Sequence, residues 1–161
     1  MREILYRGKR KDNGEWVYGY YLPYHAVKDT NGKDVFAQIF VEPDEKHPKG
    51  WAIVTAETVG QYTGLTDKSG KKIFEGDIIK VHKNDTYVIK YGEYTPRNYC
   101  LARYRDKPTI GFYAYDGEKC FQLSTNSRCY EVIGNIHDNP ELLKQGNDDC
   151  IYADFNKKAE V

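Results

Sequence analysis

The chain has 161 residues, and its 24 Lys plus Arg balance 24 Asp plus Glu, so the formal net charge is zero. That balance excludes a globally basic nucleic-acid binder and an acidic-tail or supercharged protein, but not a local basic face. Leu, Ile, Val and Phe supply only 34 residues, near the point where a core becomes hard to build, and 15 tyrosines offset the shortfall with rings apolar except at the tip.

Residues 2–8 alternate loosely around Ile4 and Tyr6. Asp12-Asn13-Gly14 is a turn signal, and Trp16, Tyr18 and Tyr20 follow at a period of two. This predicts a hairpin whose second arm carries an aromatic face. Asn31-Gly32, between Tyr24–Val27 and Val35–Val41, predicts a second hairpin. Glu42–Gly50 holds two prolines and alternating charge and reads as an exposed loop. Short strands resume at 52–54 and around Val59 and Tyr62. Residues 66–72 form a polar turn with Gly70 at its tip. Gly76-Asp77 then opens the strand Ile78–Val81, with a glycine suited to positive φ and an aspartate suited to accepting from nearby N–H groups.

Further strands are expected at 86–91, 98–105, 109–115, 119–123 and 130–136, with Asp116-Gly117 as a turn. Asn139 at the N-cap, Pro140 at N1 and Glu141 in the first turn predict a short helix that Gly146 stops. Residues 147–161 read as a docked arm, with Tyr152 and Phe155 three apart on one helical face. The expected fold is all-β: a small SH3-like or related barrel containing Ile73–Tyr91, with additional N-terminal β-hairpins and a short C-terminal helix. Its expected division is 1–60 as a hairpin region, 61–146 as the barrel region and 147–161 as a C-terminal arm.

Signals for chemistry are sparse. No apolar run reaches 18 residues and no apolar stretch follows the charged start, so the expectation is a cytoplasmic protein with no membrane partner. Cys100, Cys120, Cys129 and Cys150 contain no CxxC pair, and His25, His47, His82 and His137 are scattered. Free thiols, no metal and no cofactor are expected. The run Gly64–Lys71 differs from a phosphate loop, because five residues separate Gly64 from Gly70 and Lys72 stands where Ser or Thr would bind magnesium. Gly64, Gly70 and Gly76 read more simply as backbone geometry. Glu75 and Asp77 could divide acid and base roles, but a solvated Glu and an Asp turn cap are the plainer account. His137 reads as a capped or solvated side chain, and Cys120 and Cys129 as small buried hydrophobes. No catalytic residue is assigned.

Charge is segregated along the chain even though it sums to zero. Arg7, Lys9, Arg10 and Lys11 form one basic cluster. Arg97, Arg103, Arg105 and Lys107 form another, interleaved with Tyr94, Tyr99 and Tyr104. Guanidinium groups on phosphates and rings on bases suit a single strand, which makes Arg7, Arg10, Arg97, Arg103 and Arg105 the candidate nucleic-acid contacts. The competing account packs the tyrosines into the core or a subunit interface and pairs the cations with the acidic C-terminal region.

Two long blocks carry a resemblance. One runs from Gln61-Tyr62-Thr63-Gly64-Leu65-Thr66-Asp67 through Ile73-Phe74-Glu75-Gly76-Asp77-Ile78-Ile79-Lys80-Val81; the other is Glu131-Val132-Ile133-Gly134-Asn135-Ile136-His137-Asp138-Asn139-Pro140-Glu141-Leu142-Leu143. With the opening Ile4–Lys9 and Trp16–Gly19, they resemble the YopX family of small proteins from bacteriophages and prophages. The resemblance is carried by no pattern read between Lys83 and Cys129. The resemblance implies a mostly β protein with a barrel-like portion and some tendency to self-associate, and brings no catalytic or substrate residue. The resulting expectation is a non-enzymatic accessory protein of the bacterial host cell, a self-assembling or protein-interaction module. Its expected partners are further copies of itself and an unidentified phage or host protein. The alternative is a weak nucleic-acid-binding β-barrel, followed by an enzyme of unknown class.

Overall fold

The computed structural model describes residues 3–43, 45, 48–81, 85–95, 108–123 and 129–143, without the side chains of 23–26. Eleven strands occur among them: β1 (Tyr6–Lys9), β2 (Trp16–Lys28), β3 (Asp34–Phe40), β4 (Trp51–Thr55), β5 (Gly60–Thr66), β6 (Lys72–Phe74), β7 (Asp77–Val81), β8 (Asp85–Tyr94), β9 (Thr109–Tyr115), β10 (Cys120–Gln122) and β11 (Tyr130–Asn135). One sheet has the order β4-β3-β2-β1-β5-β6 and the other β10-β9-β8-β7-β11. The chain divides into two units, Met1–Gly64 and Leu65–Val161, and β5 runs across the division.

In the N-terminal unit the turns form where local chemistry demands them. Gly14 and Gly32 both take positive φ, at the two turns that Asn13-Gly14 and Asn31-Gly32 announce. The Asn13 carboxamide oxygen accepts from the Glu15 N–H, and Asp29 Oδ1 accepts from the N–H groups of Asn31 and Lys33. β2 is a single 13-residue strand whose pairing with β3 shifts register after Leu22. Alternation sends Val17, Ala37, Ile39, Ala52 and Val54 to one face, where they form the core with Val41. Gly19 lies on that face against β3, where a Cβ would stand 1.9 Å from the Phe40 carbonyl oxygen. Only a glycine lets the two backbones approach so closely.

The C-terminal unit is built around Ile73, Ile79, Ile89, Ala114, Tyr130 and Val132. Two buried aspartates hold its turns. Asp67 Oδ1 accepts from the Ser69 N–H, the Ser69 hydroxyl and the Lys71 N–H, while its Oδ2 accepts from the Val132 N–H at 3.1 Å. Asp77, 1% exposed, accepts from the Phe74 N–H at 2.8 Å. Gly76 beside it has φ +81°, so this Gly-Asp turn forms as the sequence implies. The strand expected at 109–115 is β9. The strand expected at 98–105, and the arm at 147–161, lie outside the described residues.

The barrel expectation is overturned. β7 and β8 form a hairpin inside an open five-stranded sheet, whose edges β10 and β11 do not pair. Closure requires the two edge strands to share a ladder, and β10 has only three residues, all paired to β9 on its inner side. The six-stranded sheet is open as well, with β4 and β6 at its edges. A single isolated bridge, Arg10 to Val54, links the chain beyond β1 to β4.

The short C-terminal helix is also corrected. Pro140–Leu142 is one 3-10 turn, and Asn139 makes no side-chain cap to it. One hydrogen bond cannot repay the fixing of several residues, and Leu143 returns to extended geometry. The preceding turn is organised instead by Asn135, whose side-chain oxygen accepts from the N–H groups of His137 and Asp138.

Candidate interaction face

The face of the N-terminal sheet opposite its core is aromatic. Tyr20 pairs with Phe40 across β2 and β3, and Phe40 with Trp51 across β3 and β4. Directly opposed residues in an antiparallel sheet share a face, so these three rings form one row. Tyr18 and Ile53 extend it by one step along their own strands, since residues two apart share a face. The exposures are 52% for Tyr18, 58% for Tyr20, 45% for Phe40, 37% for Trp51 and 40% for Ile53. Rings of this kind bring about 150–250 Å² each, so the row presents on the order of 400 Å² of contiguous apolar surface, in the range that marks interaction sites.

Cations border the β4 end of the row. Lys11 donates its backbone N–H to the Ile53 carbonyl at 3.0 Å, which lays the basic run of residues 9–11 alongside β4. Lys11 Nζ stands 3.8 Å from the Phe36 ring centroid, and Lys49 Nζ 5.5 Å from that of Trp51. Both side chains are solvent-exposed, and neither is in an ion pair among the described residues. Arg10 is held differently: its guanidinium grips Asp12, with Nε donating to Oδ1 at 2.9 Å and a second bond from Nη2 to Oδ2. That bond is the leading cause that holds the Asp12 carboxyl below its ordinary range. An open groove of about 520 Å³ runs between these groups, with Trp51 and Ile53 on one wall and Arg10, Lys11, Asp12 and Lys49 around it.

Of the five arginines singled out in the sequence, Arg7 and Arg10 lie among the described residues. Arg7 is 5% exposed, and its guanidinium stacks 4.6 Å from the Trp16 ring centroid. Arg10 lines the groove, bound to Asp12. Arg97, Arg103 and Arg105 lie outside the described residues. Tyr94, taken as a possible base-stacking ring, is buried and stacks on Tyr113 at 4.6 Å.

Residues missed by sequence reasoning are Phe40, Trp51, Ile53 and Lys49. Their signal was the alternation of Phe36, Gln38 and Phe40, and of Trp51 and Ile53. It gained meaning only once the register set them beside Tyr20.

The remaining chemistry-bearing groups are modest. A cavity of about 70 Å³ in the C-terminal unit is lined by Asp85, Thr86, Lys90, Tyr115 and Asp116. It has room for a few waters or a small ion, well below the size of a substrate pocket. Lys90 Nζ sits 4.6 Å from the Tyr115 ring centroid there. Cys120 and Cys129 are free thiols; the Cys120 thiol donates to the Thr95 carbonyl, and Cys129 is exposed, contrary to the buried place expected of it. Among the described residues no cluster of His, Cys, Asp and Glu could hold a metal ion, and no helix is long and apolar enough to cross a membrane.

No curated protein matches the chain. A solved structure, the protein EF1440 from Enterococcus faecalis, is 22% identical, covering 89% of this chain and all of the other at a TM-score of 0.39. The model of the YopX protein family matches residues 5–144, which takes in both sequence blocks, the aromatic row and its basic border. The chain belongs to the YopX family of phage and prophage proteins.

Proposed function

We propose that the protein is a non-enzymatic interaction module, and that the outer face of its N-terminal sheet docks another protein. The observation that carries this reading is the row Tyr20–Phe40–Trp51, in register across three strands and left about half exposed. Such a row is expensive to leave in water, and aromatic anchors of this type dominate protein interfaces. A second copy of the chain is the weaker occupant of this face. In a two-fold contact the patch meets itself, and Lys11 and Lys49 then gain no opposite charge. The homo-oligomer expected from the sequence would form through a different surface.

Nucleic acid is the second reading, and the observation favouring it is the placement of Lys11 and Lys49 beside exposed rings. The experiment is site-specific photocrosslinking in the bacterial cell from position 51, with position 118 in the C-terminal unit as control. A discrete protein adduct from position 51 alone, lost in a Tyr20→Ser/Phe40→Ser variant, is the expected result. Identical patterns from both positions, or adducts with nucleic acid only, would overturn the reading. Light scattering after size exclusion, with and without short oligonucleotides at two salt concentrations, reads self-association and nucleic-acid binding independently.

A further inference from the structure

We infer that the groove beside Trp51 takes a peptide segment in which carboxylates flank an aromatic or large apolar side chain. This rests on the reading of the outer face as a protein-docking surface and adds the chemistry of the partner. The argument is one of charge and shape. Among the described residues that line the groove are three cations and one carboxylate, and that carboxylate, Asp12, is already committed to Arg10 through two bonds. The net demand left at the groove is therefore for negative charge, presented to Lys11 and Lys49.

Those two ammonium groups rest on aromatic faces rather than on carboxylates. A cation held over a ring keeps most of its capacity to bind an anion, so a carboxylate can be added without first breaking an ion pair. Between the two lysines the wall is Trp51 and Ile53, both partly exposed, and the volume of about 520 Å³ is that of a pocket for one large side chain and its neighbours. The apolar wall supplies affinity, and the flanking lysines select sign and register. A phosphodiester strand also offers negative charge, but it carries one charge on every nucleotide and calls for a continuous basic track. Here the exposed cations Lys11 and Lys49 lie at the β4 end of the row, whereas at the other end Arg7 and Lys9 of β1, opposite Tyr18 and Trp16, are buried and half-buried against the Trp16 ring.

The test is a fluorescence-anisotropy titration of the full chain with three labelled peptides and an oligothymidine of similar length. The peptides share a central Trp-Phe pair and differ in flanks of Asp and Glu, Lys, or Ser. The acidic peptide is expected to bind at least tenfold more tightly than the Ser peptide, the Lys peptide more weakly still, and the oligothymidine less tightly than the acidic peptide. Lys11→Glu/Lys49→Glu, two changes at exposed positions, is expected to invert the order of the acidic and Lys peptides. That inversion cannot come from misfolding.

Equal binding of all three peptides that is still lost in Trp51→Ala would overturn the inference and leave the docking face standing. Binding of every probe unaffected by both variants, or of none, would overturn both. Tighter binding of oligothymidine than of the acidic peptide would also overturn both, in favour of nucleic acid.

Discussion

Several aromatic rings of the two units are placed in opposite ways. In the C-terminal unit Asp67 and Asp77 are buried and tie down backbone N–H groups, and Tyr94 and Tyr130 are buried. In the N-terminal unit the core is aliphatic, from Val17 to Val54, and Tyr18, Tyr20, Phe40 and Trp51 stand on the opposite face in water. A ring that packs inward explains itself by burial of about 25 cal/mol per Å²; a ring that faces solvent in register with two others does not. The contrast separates residues kept for folding from residues available for binding, and substitutions on the two sides should split accordingly.

The largest effect is expected at Gly19. A Cβ there meets a backbone atom, the Phe40 oxygen at 1.9 Å, so Gly19→Ala must push β2 away from β3. We expect a loss of about 3 kcal/mol or more in denaturant unfolding, with loss of peptide binding because the Tyr20–Phe40 pair separates. Gly134→Ala in the C-terminal unit offers a direct contrast. Its Cβ would meet Asn139 Oδ1 at 2.6 Å and Leu142 Cδ1 at 2.8 Å, ends of side chains that can rotate, and Asn139 Cβ at 3.0 Å, which must give by a few tenths of an ångström. A cost of about 1–2 kcal/mol is expected there. A Gly134→Ala cost equal to or larger than that of Gly19→Ala would contradict the distinction.

Asp67→Ala comes next in size, at about 2–3 kcal/mol, because it strips the acceptor from the buried Val132 N–H and from the Ser69 and Lys71 N–H groups. The same site has a pH signature. Burial by itself would raise the Asp67 pKa, but the bonds from Ser69, Val132 and Lys71 outweigh it and hold the carboxyl below its ordinary value of 3.8. A pKa depressed by folding stabilises the native state above the unfolded value, and that contribution is lost as pH falls through the folded one. Unfolding midpoints of the wild type should therefore decline below about pH 4, and Asp67→Asn should flatten that decline. Parallel acid profiles for the two proteins would remove Asp67 as a cause.

These contrasts also show what a single sequence discloses. Asn13-Gly14, Asn31-Gly32 and Gly76-Asp77 were legible because a turn is decided by its own few residues, through positive φ and side-chain acceptors. The strand at 109–115 was legible from its β-branched and aromatic run. The barrel was not, because closure depends on whether two edge strands that are not joined by a tight turn share a ladder, and no local pattern encodes that. Arg7 was read as a candidate nucleic-acid contact from its basic neighbours; the β1–β2 hairpin brings it against Trp16, where it is 5% exposed. The Tyr20–Phe40–Trp51 row was half legible: the period of two at Trp16, Tyr18 and Tyr20 announced an aromatic face, but its partners entered only with the register.

The smallest effect on stability is expected where the effect on binding is largest. Tyr20 is 58% exposed, so Tyr20→Ser removes little buried area and should change unfolding by no more than about 0.5 kcal/mol. The lost β-propensity is partly offset by taking an apolar ring out of water. Tyr130, 4% exposed in the C-terminal core, is the matched control: Tyr130→Ser should cost about 3 kcal/mol and, at temperatures where the variant is folded, leave binding of the acidic peptide unchanged. Measuring both quantities on both variants gives a crossed pattern if the outer row exists for docking. If Tyr20→Ser instead destabilises the chain as much as Tyr130→Ser, the row is part of the packed fold, and the exposed aromatic face loses its claim to be a binding surface.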